Sequence, residues 1–222
     1  SCAVSTPRTV PPSISMAAFP PWISDGTAVG NLSLGDLHAG TADSLPQQFT
    51  PIGPLVLFTA YTAATGRELW VTDGTAAGTT MLPELTPGST SGEPDDLIVH
   101  NGRVMFAGSS PAGGREVWTS DGTAGGTAQL LDIGPGTASS QPGGFAPVGS
   151  ELWFAATGPG TGGELWRTDG TALGTALIGD FVPGNGSTLP SAIQQFGGIV
   201  LFYGLFGGAG GEPQATDGTL LG

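Results

Sequence analysis

Short apolar runs alternate with glycine- and proline-rich punctuation along nearly the whole chain, and the runs return at a fixed interval. Residues 97–133 show the pattern plainly. Leu97–His100 is a brief apolar run closed by Asn101-Gly102, the dipeptide that best marks a two-residue β-hairpin. Arg103–Gly108 (RVMFAG) follows as a continuous apolar run, then a Ser/Pro/Gly loop, then Glu116–Ser120 (EVWTS). The turn Asp121-Gly122-Thr123 leads to a fourth run, Ala128–Ile133 (AQLLDI). Four strands joined as successive hairpins are predicted.

The same offsets recur every 48 residues. Asp25, Asp73, Asp121, Asp169 and Asp217 each open an Asp-Gly-Thr, and Trp22, Trp70, Trp118 and Trp166 share one register. Phe58, Phe106, Phe154 and Phe202 share another, Gly30, Gly78, Gly126, Gly174 and Gly222 close the turns, and Pro46, Pro94, Pro142 and Pro190 end the long connections. The second run of each repeat is apolar on both faces (Val56-Leu57-Phe58, Val104-Met105-Phe106, Leu152-Trp153-Phe154, Val200-Leu201-Phe202), so it is predicted to be covered on both sides. In the well-formed repeats proline falls in the first run (Pro51, Pro147) or the fourth (Pro83), which makes those two the sheet edges.

Four-stranded antiparallel sheets buried on both faces and repeated every 40–50 residues describe an all-β fold, a β-propeller. The tryptophan register is expected to fill the seams between blades. The repeats divide into a weak first blade at 1–48, three full ones at 49–96, 97–144 and 145–192, and an incomplete last blade at 193–222. All belong to a single domain, most simply a propeller of five blades. An N-terminal arm within Val4–Val10 could supply the missing outer strand and close the ring. Alternatively the chain is a piece of a larger propeller. A solenoid is the other architecture for such repeats, though its coils are usually shorter.

Composition sharpens this picture at two points. Gly 40 and Pro 19 would suggest disorder in an aperiodic chain, but here they recur in register as turn residues. The net charge of -13, with five arginines and no lysine, excludes nucleic acid as a partner, because a phosphate backbone would be repelled. No apolar stretch is long enough for a transmembrane helix. Cys2 is the only cysteine, so no internal disulfide forms. Ser1-Cys2 reads either as a lipid-anchor site of a bacterial lipoprotein or as an unmodified terminal thiol.

Laid side by side, ELWVTDGTAAGT (68–79), EVWTSDGTAGGT (116–127) and ELWRTDGTALGT (164–175) carry a Glu-Leu-Trp…Asp-Gly-Thr…Gly-Thr motif. In that motif the chain resembles a bacterial repeat family of large secreted or surface proteins, notably of myxobacteria and their relatives. The resemblance covers nearly all of residues 22–222. It implies a propeller-like fold and an extracellular or cell-surface location, and it implies no activity. Blade number and repeat length are also similar to those of the five-bladed tachylectin-2 lectins, whose sequence signature is absent.

Candidate chemistry is sparse. Each Asp-Gly-Thr loop offers oxygen ligands to Ca²⁺, but only one carboxylate, against the three or more of a good site. The simpler reading is an Asx turn in which the aspartate caps backbone N–H groups, and a metal stays open. Glu68, Glu116, Glu164 and Glu212 stand one per blade, the wrong arrangement for a pair of glycosidase carboxylates in one cleft, and read as blade-to-blade hydrogen-bond acceptors. His38 and His100 do not share a register, and no Gly-x-Ser-x-Gly elbow occurs. No enzyme is expected.

Function is therefore expected on the face where the variable loops gather. Asp43, Tyr61, Glu93, Asp95, Asp96 and Asn185 are the side chains there best equipped to bind something. The resulting expectation is a non-catalytic extracellular binding module for a glycan or a partner protein. The alternative is a structural subunit of a surface-anchored assembly.

Overall fold

The computed structural model describes residues 20–27, 29–40, 42–206 and 210–219. The N-terminal arm and Cys2 lie outside them. The described residues hold seventeen β-strands and no helix, gathered into five antiparallel sheets. The first sheet pairs β1 (Trp22–Ser24) with β2 (Asn31–Ser33). The second orders β3 (Gln47–Ile52), β4 (Leu55–Thr62), β5 (Gly66–Thr72) and β6 (Thr80–Met81). The third holds β7 (Asp95–His100), β8 (Arg103–Ser110), β9 (Gly114–Ser120) and β10 (Ala128–Leu131). The fourth holds β11 (Gly143–Val148), β12 (Glu151–Gly158), β13 (Gly162–Thr168) and β14 (Ala176–Gly179). The fifth has β15 (Ser191–Phe196), β16 (Ile199–Leu205) and β17 (Gly211–Thr216).

Strand order follows chain order in each four-stranded sheet, so the first and fourth strands are edges, as Pro51 and Pro147 in the first strands indicate; Pro83 falls just beyond β6. Pro213 is no exception. It sits in β17, which is itself an edge of the three-stranded fifth sheet. The hairpin at Asn101-Gly102 has φ of 48° and 74°, the left-handed pair that a type I′ turn requires.

Register explains the aromatic repeat. Phe58 pairs directly with Trp70, Phe106 with Trp118 and Phe154 with Trp166 across the two central strands. The first two pairs stack at ring-centre distances of 6.4 and 6.5 Å. In the fifth sheet Gln214 takes the tryptophan's place opposite Phe202.

The sheets pack face to face in chain order, as blades of a β-propeller do. Leu57, Leu69 and Val71 of the second sheet bury against Val104 and Phe106 of the third, with Trp118 at the margin. Met105 and Val117 of the third meet Leu152 and Phe154 of the fourth, flanked by Trp166. Trp153 and Leu165 of the fourth meet Val200 and Phe202 of the fifth. Each central strand thus sends alternate side chains into two different seams, which is why its sequence is apolar on both faces. Phe58, Phe106 and Phe154 have no exposed surface, and each such burial is worth roughly 1.5–3 kcal/mol.

Candidate functional site

Two repeated devices fix the ends of the blades before any ligand is considered. The first is the Asp-Gly-Thr turn. Asp73 Oδ1 accepts from Thr75 N at 2.9 Å and from Thr75 Oγ1 at 2.7 Å, and Gly78 N donates to Thr75 Oγ1 at 2.9 Å. Asp25, Asp121, Asp169 and Asp217 accept in the same way from the threonine two residues on. These bonds hold all five carboxyls below their ordinary range. The glycine that closes the loop is required sterically, since a Cβ on Gly78 or Gly126 would overlap the aspartate carboxylate. Among the described residues no group of three or more His, Cys, Asp or Glu side chains is placed to hold a metal ion.

The second device is the glutamate near the start of the third strand in the second, third and fourth sheets; Glu212, its equivalent in the fifth, is exposed. Glu116 has no exposed surface. Its carboxylate accepts from Ile133 N at 3.0 Å, Gly134 N at 3.0 Å, Ser140 N at 2.9 Å and Ser140 Oγ at 2.6 Å. Glu164 accepts from Phe181 N, Thr188 N and Thr188 Oγ1, the last at 2.5 Å. Glu68 accepts from Leu85 N at 3.1 Å and Gly92 N at 2.9 Å. All three therefore pin the connection that leads out of their own blade toward the next. The seam is bridged through that connection, not by a bond to a neighbouring strand.

Glu68 differs from the other two because Gly92 stands where they have Ser140 and Thr188. A Cβ at Gly92 would come within 2.6 Å of Leu85 Cβ, so no hydroxyl can be supplied there. Burial then pushes the Glu68 carboxyl up to about 7 against the opposing pull of the Leu85 and Gly92 amides. Burial also raises Glu164, where the Thr188 hydroxyl works against it.

A pH dependence follows. A carboxyl whose folded pKa is raised favours the folded state most below its unfolded value, near 4.5, and that contribution is lost as pH rises toward 7. The turn aspartates act in the opposite sense, because their contribution disappears as pH falls below 3.8 through their lowered folded values. Melting temperature should therefore peak near pH 4–4.5 and decline toward neutrality. Glu68→Gln should flatten the decline between pH 4.5 and 7, as read by thermal melts followed by circular dichroism. An unchanged slope in that variant would remove Glu68 as its source.

On the variable-loop face, the connections between blades share an uncommon backbone. Leu45, Glu93, Gln141 and Leu189, each just before the repeated proline, have φ between 44° and 48°. Gln48, Asp96 and Ala192 also lie in the left-handed region, and Gly144 takes the equivalent place at 68°. These last positions fall in register shifts of the first strands, where one extra residue is accommodated as a bulge.

Between the second and third sheets this geometry leaves a pocket of about 220 Å³. It is lined by Gln47, Gln48, Arg67, Glu93, Pro94, Asp95 and Arg115. Arg67 Nη1 donates to Leu45 O at 3.0 Å and Thr59 Oγ1 at 3.2 Å. Arg115 Nη1 donates to Glu93 O at 2.7 Å, and its Nη2 lies 3.9 Å from Asp95 Oδ2. Gln48 Nε2 donates to Asp95 Oδ1 at 2.5 Å. Leu45 and Glu93, two of the left-handed residues before the prolines, thus each present a carbonyl to the arginine 22 residues further on. In the fourth and fifth sheets glycine (Gly163, Gly211) replaces that arginine, so the cationic pair belongs to this seam alone.

The sequence candidates divide accordingly. Glu93 and Asp95 line the pocket. Asp96 does not join them, because its Oδ2 accepts from Gly144 N at 2.6 Å and Phe145 N at 3.3 Å and ties the third sheet to the fourth. Tyr61 lies edge-on to His38, with ring centres 5.5 Å apart. His38 also accepts from Ala63 N at Nε2 (3.2 Å), and Asp43 O lies 3.4 Å from its Nδ1. Asn185 is exposed on the connection to the fifth sheet. Arg67 and Arg115 are the site residues that sequence reading passed over. Their signal was present: both stand at the same repeat position and account for two of the chain's five cations.

No family model and no curated protein matches the chain. Among solved structures it is similar to a puromycin hydrolase (S511A mutant complexed with PGG) at 15% identity and a TM-score of 0.47. That overlap covers 84% of this chain but only 28% of the hydrolase. It is also similar to an α-L-arabinofuranosidase of Clostridium thermocellum at 12% identity and a TM-score of 0.34, over 78% of this chain and 68% of that one. Overlaps this loose carry no chemistry from either enzyme to this chain.

Proposed function

We propose that the chain is a non-catalytic binding module that belongs with the bacterial Glu-Leu-Trp…Asp-Gly-Thr repeats and holds a glycan or a protein partner outside the cell. The observation behind this reading is the pocket between the second and third sheets. It offers guanidinium, amide and carboxylate groups together, on a rigid frame, where the rest of the chain is strongly acidic. Catalysis is not part of the proposal, because the buried glutamates are each consumed by backbone amides of their own connection. The pocket lining contains no aromatic ring on which a sugar could stack, so recognition rests on hydrogen bonds and charge.

The test is a glycan array with and without Ca²⁺, followed by calorimetry on any hit. Arg115→Ala should weaken binding by about tenfold or more, the effect of losing a hydrogen bond to a charged group. Undiminished affinity in that variant would move the site elsewhere on the face. Calcium dependence would point to the acidic loops, and a blank array in both conditions would favour a protein partner. A structural role within a surface assembly, with Cys2 as a lipid anchor, is the second reading. It is favoured by the apolar face that the fifth sheet leaves uncovered.

A further inference from the structure

Every interior seam is closed by the same contact. The glycine of each Asp-Gly-Thr turn is set against the preceding sheet. A methyl on Gly74 would lie 3.1 Å from Ile23, one on Gly122 2.9 Å from Leu55, one on Gly170 3.7 Å from His100, and one on Gly218 3.0 Å from Trp153. At Gly26, in the first sheet's turn, no described atom comes within 4 Å of the same point. Trp22, which holds the register of the seam tryptophans Trp118 and Trp166, is 60% exposed. Among the described residues, the first sheet therefore carries a turn and a tryptophan with no preceding sheet beneath them.

The fifth sheet shows the matching half. Leu57, Met105 and Trp153 are buried against the next sheet at 0%, 0% and 3% exposure, whereas Leu201 at the same repeat position is 39% exposed. Ile199, Tyr203 and Leu205 stand open beside it, so β16 alternates buried and exposed where the equivalent strands do not. A shallow depression of about 210 Å³ lies on this face, lined by Ile199, Ala215, Thr216 and Asp217. Ile199 and Ala215 are the repeat equivalents of Leu55 and Val71, the residues that receive the Gly122 turn in the second seam.

We propose that the first sheet of a second copy of this chain docks on the fifth sheet, with its Asp25-Gly26-Thr27 turn in the Ile199/Ala215 depression and Trp22 over Leu201. The interface repeats the interior seam between copies. A second copy is the source because each chain carries both halves, and in this structure the chain's own turn does not fill its own socket. The contact is heterologous, so it propagates head to tail. With -13 charges on each copy, added salt strengthens it.

Sedimentation velocity across a concentration series tests this with two variants at exposed positions, so that folding is preserved. Ala215→Arg blocks the socket and Trp22→Asp spoils the leading face. The wild-type chain should form concentration-dependent oligomers, more of them in higher salt, and each variant alone should stay monomeric. Mixed together, the two variants should give one-to-one dimers and nothing larger, because each retains the half that the other lacks. A wild-type chain that is monomeric at every concentration would overturn the proposal. So would oligomers that persist in Ala215→Arg, or a mixture that fails to pair.

Discussion

Glu116→Ala should destabilise the chain by on the order of 4 kcal/mol, the largest loss expected from any polar substitution. The carboxylate is fully buried and accepts four hydrogen bonds, three from backbone amides and one from the Ser140 hydroxyl. Alanine removes every acceptor at once and leaves the donors buried, at about 1–3 kcal/mol for each group that finds no water. The losses do not add fully, because a freed connection relaxes. Domains of this size hold about 5–15 kcal/mol in all, so the variant should sit close to its folding threshold. Glu116→Gln keeps one acceptor oxygen but turns an NH₂ toward N–H donors, and should cost about half as much. Urea unfolding gives both values. Hydrogen exchange should also quicken at Ile133 and Ser140 before it does in β8, since the connection is what the carboxylate holds. A cost below about 1 kcal/mol would mean that water already satisfies those amides.

The role of these glutamates shows where sequence reading stopped. Their 48-residue register marked them as structural, and the paired carboxylate spacing of a hydrolase was absent. Their partners were not legible, because Ile133 and Ser140 lie 17 and 24 residues downstream in a connection whose path depends on left-handed residues such as Gln141. Nothing in Leu45, Glu93, Gln141 or Leu189 as residue types announces a positive φ. The fold was far more legible. The hairpin at Asn101-Gly102, the prolines on edges and the doubly apolar second strands each follow from local chemistry that the packing does not override. Strand ends were less so: Asp95 and Asp96 read as loop, yet Asp95 pairs with Ala107 and Asp96 sits in the bulge at the start of β7. The candidate site was half visible. Glu93 and Asp95 were reachable from loop position and charge. Arg67 and Arg115 sit inside strands, where arginine ordinarily reads as a solvated edge, and only the packing of two sheets turns both toward one pocket.

Phe106→Ala should cost about 3–5 kcal/mol, the range for removing a large aromatic from a closed core. The ring has no exposed surface and fills the seam between the second and third sheets, against Leu57, Leu69, Val71 and Leu85, while stacking on Trp118. The cavity would be lined by apolar groups and stay dry, so solvent gives nothing back. The consequence reaches beyond the magnitude. In a repeat protein each unit is stabilised mainly by its neighbours, so a weakened seam divides the chain into parts that unfold separately. Urea curves followed by tryptophan fluorescence and by far-ultraviolet circular dichroism should coincide for the wild type and diverge for Phe106→Ala. Leu201→Ala supplies the contrast. It removes a side chain of the same apolar class at a seam position, but one that is 39% exposed in the single chain, so its cost should be small where the chain is monomeric. Under conditions where copies associate, that cost should grow with protein concentration, while the cost of Phe106→Ala stays fixed. A concentration-independent loss at both positions would place Leu201 in an intramolecular seam, and a loss below about 1 kcal/mol at Phe106 would mean that the second and third sheets do not pack in solution.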